Sequence, residues 1–280
     1  MTASPRESTG SARIFVPDKL AISVTAILLT AAAISWVASY YLMPLMMNSS
    51  SGMMASGGVS AIVSSLSLFS IGFFVLVWII GMAAMMFPAM IPMVLFYDKV
   101  KTKLETNPKL ARVVGTPLFL AGYLVTYALL GVGAYLGVYG AMTLSTAFPI
   151  LATLSIIVPS AILIATGLYQ FSSLKTRCLS QCISPFGFFA TRSSNGLVGA
   201  FRMGFGHGTF CVGCCWAYML VMLAVGAMSI PVMIVLAGVI ALEKVIVRGS
   251  VWFNRSVAIA FIGLGILVAF FPIILSAIQA

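Results

Sequence analysis

Residues 71–97 read IGFFVLVWIIGMAAMMFPAMIPMVLFY, and no side chain in that run carries a charge. A helix at the surface of a soluble protein turns a polar stripe to water, whereas this one is apolar all round and longer than the ~20 residues that cross a bilayer. Its solvent is therefore lipid. The rest of the chain repeats the pattern: 61% of all residues are hydrophobic and only 7% are charged. Apolar runs at 20–42, 71–97, 117–142, 148–171, 206–228, 231–247 and 257–278 predict an all-α polytopic transmembrane helix bundle of about seven spans, with six as the alternative. The uncharged stretch at 59–97 exceeds one upright helix, so its serine-rich beginning, VSAIVSSLSLFS, is expected at an interface.

The basic residues orient the bundle. Arg6, Arg13 and Lys19 precede the first span, and Lys99, Lys101, Lys103, Lys109 and Arg112 follow the second. Lys175, Arg177, Arg192 and Arg202 lie between the fourth and fifth spans, and Lys244, Arg248 and Arg255 close the sixth. With seven spans all of them fall on one side, which by the positive-inside rule places the N-terminus in the cytoplasm and the C-terminus outside. Residues 1–19 then form a cytoplasmic tail and 20–280 one transmembrane helix-bundle domain. The first apolar run is long and lacks a small-residue cleavage site, so it reads as a retained span rather than a signal peptide. The net charge of +10 is absorbed by this asymmetry, and without a basic and aromatic groove pattern no nucleic acid partner is expected.

The fifth span holds GFGHGTFCVGCCWAYM, residues 204–219, with the chain's single histidine and three of its five cysteines. His207, Cys211, Cys214 and Cys215 recur at a spacing that lays them along one stripe of a helix. Imidazole nitrogen and thiolate sulfur are ligands that suit copper or zinc, and a bound cation offsets the cost of a thiolate in lipid. Cys214 and Cys215 diverge by about 100°, so only one of them is expected to share a site with Cys211 and His207 unless the helix distorts. Gly204, Gly206, Gly208 and Gly213 allow either distortion or the close approach of a neighbour.

Met82, Met85, Met86, Met90 and Met93 recur at helical spacing in the second span, beside Pro88 and Pro92, which predict a kink. Counted from the cytoplasmic ends, Met86 and Met90 lie at the same depth as Cys211 and Cys215, ~12–19 Å. If the spans are neighbours, thioethers face thiols; adaptable core filling is the plainer use of methionine. Glu243 is the one acidic residue inside a span, and an intramembrane carboxylate is a candidate functional group. Lys244 and Arg248 are expected to snorkel to the cytoplasmic surface. Cys178 and Cys182, four apart in LKTRCLSQC, share a face if that loop is helical and could receive or hand on a soft metal. Met43, Met46, Met47, Met53 and Met54 lie in the expected outer loop, free of competing charge.

No glycine-rich phosphate loop, serine nucleophile with a base, or carboxylate pair is present, so hydrolytic and general acid–base chemistry have little to work with. Together GMAAMMFPAMIP, YQFSSLKTRCLSQCISPFGFF, FRMGFGHGTFCVGCCWAYML and LEK resemble the domain-of-unknown-function family of predicted metal-binding integral membrane proteins. That resemblance spans roughly residues 71–244. It implies Lys175, Cys178, Cys182, His207, Cys211, Cys214, Cys215 and Glu243 as pattern positions, and the cytoplasmic membrane of a bacterium or archaeon.

The expected function is binding of a soft metal, copper first and zinc second, for transport, delivery or storage. The expected metal site draws on His207, Cys211, Cys214, Cys215, Met86, Met90, Glu243, Cys178 and Cys182. Partners are the lipid bilayer, the ion, and a metallochaperone or membrane metalloenzyme. A transmembrane thiol–disulfide electron carrier and an accessory subunit of a membrane metalloenzyme are the competing readings.

Overall fold

The structure is a computed structural model that describes residues 19–48, 63, 66–104, 110–148, 157–192, 194, 196–225 and 229–271. Among these every regular element is helical: α1 (Lys19–Asn48), α2 (Leu68–Leu104), α3 (Thr116–Ala147), α4 (Ile157–Tyr169), α5 (Ser173–Ile183), α6 (Pro185–Arg192), α7 (Gly196–Val225), α8 (Ile230–Ala241) and α9 (Val251–Phe270). Two single π-helical turns interrupt the pattern, Ala111–Gly115 before α3 and Leu242–Ile246 after α8.

Five of these helices, α1, α2, α3, α7 and α9, are long and apolar enough to cross a membrane, and a sixth crossing results if the bent pair α4–α5 counts as one. The seven expected from hydropathy differ at two places. Helix α4 has 13 described residues and spans ~20 Å, while α8 with its π turn spans ~25 Å, both short of a ~30 Å hydrocarbon core. The tail at 1–18, Met53 and Met54, the turn at 226–228 and residues 272–280 lie outside the described residues. So does most of VSAIVSSLSLFS, although its last residues already belong to α2. Both prolines of α2 sit inside a helix that continues on either side of them.

The bundle is apolar outside as well as inside. Helices α1 and α9 turn Ile22, Ile27, Ile34, Val37, Ile259, Ile266 and Phe270 outward, a surface that suits lipid tails. Helices α2, α3 and α7 make the core, where Phe74, Trp78, Met82, Met86, Met90, Tyr123, Tyr127 and Tyr218 are buried.

Where apolar helices face lipid there is little hydrophobic drive between them and close backbone packing takes its place, and the helices here show such packing. Gly204 and Gly208, one turn apart on α7, let it settle on α3. A methyl group at Gly204 would overlap the Phe119 carbonyl, and one at Gly208 would come 2.5 Å from Thr126 Oγ1. Gly122 returns the contact, since a side chain there would meet the backbone at Phe201 and Phe205. A second seam joins α4 to α9 through Gly167 against Ala258 and Gly265 against Ser160. Between α4 and α5 the chain bends by 67° over residues 170–172, and the Ser172 hydroxyl caps α5 by accepting from Leu174 N at 3.1 Å. The bend lays α5 against α7.

A methyl group at Gly204 is expected to cost about 1–3 kcal/mol by overpacking the α3–α7 seam. Thermal unfolding of Gly204→Ala in detergent, compared with Gly133→Ala on the open face of α3, measures it; only the first should lower Tm.

Candidate metal centre

Helix α7 presents His207, Cys211, Cys214, Cys215 and Tyr218 on its buried side, all at most 3% exposed. The stripe follows from helical spacing, and its burial follows from the glycine seam that draws this face toward α3 and α5. Three sulfurs converge there: Cys211 and Cys214 from α7 and Cys182 from α5 lie within 4.8 Å of one another, with Cys182 Sγ 3.8 Å from Cys214 Sγ. All five cysteines are free thiols.

Cys211 Sγ is the focus of the polar contacts. Tyr127 donates its hydroxyl to it at 3.2 Å, the Tyr123 hydroxyl lies at 3.2 Å, and Lys244 Nζ donates at 2.9 Å. The two adjacent cysteines both turn back onto the helix. Cys214 Sγ reaches the Cys211 carbonyl at 3.1 Å and Cys215 Sγ reaches it at 2.7 Å. Only Cys214 belongs to the three-sulfur set. Cys215 instead lies 3.9 Å from the Tyr127 hydroxyl.

The other expected ligands take different places. His207 stands outside the three-sulfur set. Its ring stacks on Phe119 and Tyr123 and meets Phe188 edge-on, and its Nδ1 has no hydrogen-bond partner among the described residues. Cys178 lies one turn before Cys182, its sulfur so near Gly213 that a methyl group there would come within 2.7 Å. Gly213 is thus what lets α5 approach α7. Met86 and Met90 are buried in the same core, but α2 packs on α1, α3 and α8 while α7 packs on α3, α5 and α4. The methionine and cysteine stripes therefore share a core without their helices lying side by side.

Glu243 and Lys244 point inward together. Both belong to the π turn at Leu242–Ile246 and both are buried in the bundle. Glu243 pairs with Lys175 of α5 at 2.6 Å, an ion pair rather than an aligned hydrogen bond, and its other oxygen accepts from the Tyr218 hydroxyl at 3.2 Å. Lys175 also donates to Gln170 Oε1 and, at 3.1 Å, to Tyr218. The expected snorkelling of Lys244 is corrected by the structure: the residue is 8% exposed and its ammonium ends on Cys211. Tyr123 and Tyr127 carry no signal in hydropathy or ligand type, although their spacing of four in YLVTY sets them on one helix face.

A bundle of long apolar helices with three converging thiols at its centre defines a protein equipped to hold a soft metal ion. Residues 75–268 match the PpoB2 family, described as copper chaperone, and the chain belongs to that family. No curated protein and no solved structure matches it. The metal-related resemblance seen in the sequence is thereby carried to a copper-related family.

Breaking the buried Lys175–Glu243 pair by Glu243→Ala is expected to cost about 3–5 kcal/mol, because Lys175 is left charged and buried. Thermal unfolding checks this: the double variant Lys175→Met with Glu243→Leu should recover most of the loss.

Proposed function

We propose that the chain is a multi-pass membrane copper chaperone that binds Cu(I) through Cys182, Cys211 and Cys214 and passes it on. One observation carries this reading: three thiol sulfurs within 4.8 Å of one another, two on α7 and one on α5, in a member of a copper chaperone family. Thiolates are soft ligands matched to Cu(I), and three of them satisfy an ion that needs no fourth. Zinc, with its preference for four ligands, is the second candidate.

In this reading the hydroxyls of Tyr123 and Tyr127 orient Cys211, as outer-shell donors orient metal ligands elsewhere. The pair Lys175–Glu243 holds α5, and with it Cys182, in register with α7. Cys178 is the next thiol along α5, one turn from Cys182, and serves as a second holding point for the ion. Met86 and Met90 supply thioethers from α2 in the same core, and His207 and Cys215 support the site from the same face of α7. The single bundle at 20–280 sits in the cytoplasmic membrane of a bacterium or archaeon. It has about seven crossings, with six as the alternative, and the basic residues favour the arrangement with the N-terminus in the cytoplasm and the C-terminus outside. A metallochaperone or a membrane metalloenzyme is the exchange partner.

The second reading, thiol–disulfide exchange, draws support from the 3.8 Å between Cys182 and Cys214 sulfurs. Alkylation trapping decides it: a Cys182–Cys214 disulfide that cycles with cytoplasmic thioredoxin favours electron transfer, and thiols that stay reduced while copper is bound favour the chaperone.

Purified protein under reducing conditions should bind Cu(I) in a chelator competition assay. Cys182→Ser, Cys211→Ser and Cys214→Ser should each weaken binding by more than the roughly 10- to 100-fold that outer-shell changes cost, and His207→Ala by less. Unchanged affinity in the three serine variants would sink the proposal.

A further inference from the structure

We infer that Lys244 sets the metal selectivity of this site, favouring Cu(I) over Zn(II) by placing a positive charge against one of the ligand sulfurs. The inference rests on the three-thiol reading above. Lys244 Nζ lies 2.9 Å from Cys211 Sγ, and the residue is buried. No carboxylate answers its charge among the described residues, because the neighbouring Glu243 is engaged by Lys175 and Tyr218 on α5 and α7. Whatever ion binds Cys211 therefore binds beside an ammonium.

Two consequences separate the ions. Coulomb repulsion grows in proportion to the charge of the ion, so at one position Lys244 opposes Zn(II) twice as strongly as Cu(I). An ammonium also has three donors and no lone pair, so it fills space beside Cys211 without offering a fourth ligand. Zn(II) calls for four ligands, while soft Cu(I) is content with thiolates alone. The nearest further thiol, Cys215, is turned onto the Cys211 carbonyl at 2.7 Å and the Tyr127 hydroxyl. The site thus offers three sulfurs and one cation, an arrangement that penalises a divalent ion on both counts.

The test compares dissociation constants for Cu(I) and Zn(II), each by chelator competition on the full chain in detergent, for wild type and for Lys244→Met, Lys244→Gln and Lys244→Arg. The ratio is the readout, because any cost shared by both ions, such as ionising Cys211, cancels in it. The neutral Met and Gln variants should lower the ratio of the zinc to the copper dissociation constant by about tenfold or more, and the charged Arg variant should keep it near wild type. Lys244→Gln retains a donor toward Cys211 and serves where the Met variant does not fold. An unchanged ratio in a folded neutral variant overturns the role of Lys244, as does an Arg variant that shifts as far as Met. Wild type that binds neither ion overturns the three-thiol reading itself, so the two failures are distinguishable.

Discussion

The close approach of α7 to α3 is the contact on which the centre of the molecule depends. Helices in lipid gain little from burying more apolar surface, so they must fit backbone to backbone. Gly204 and Gly208 give α7 a flat side, and Gly122 gives α3 the matching one. Once the two are that close, Tyr123 and Tyr127 reach Cys211, and His207 slides between Phe119 and Phe188. Remove the seam and the sulfurs keep their spacing along α7 but lose the hydroxyls that surround one of them.

Polar groups at this depth have no water to fall back on, and each must be answered by protein. The π turn at Leu242–Ile246 meets that requirement by delivering two opposite charges to two partners: Glu243 to Lys175 on α5, Lys244 to Cys211 on α7. It fastens both helices that contribute sulfurs. The chain leaves the turn through Arg248 and Gly249, both at positive φ, where glycine is at ease and arginine is not.

Hydropathy made the helical, lipid-embedded class plain, because long uncharged runs admit no other solvent. Span count was less legible: α4 and α8 look like spans by composition, yet their described lengths fall short of a bilayer. At the centre, the stripe from His207 to Cys215 was readable from helical period alone, and so was the shared face of Cys178 and Cys182. Which sulfurs meet was not readable, since that depends on the 67° bend before α5 and on Gly213 beneath Cys178. Lys244 was misjudged for a related reason. A lysine three residues from a span's end normally stretches to the surface, and the contact with Cys211 that holds this one inside is invisible to hydropathy.

The bend between α4 and α5 divides the three sulfurs unequally. Two ride on a long central helix, and the third on an 11-residue helix that follows the bend at residues 170–172. The short helix also carries Lys175, which is buried against Glu243, so the third sulfur takes its place through an ion pair to the π turn, whereas the other two take theirs from one continuous backbone.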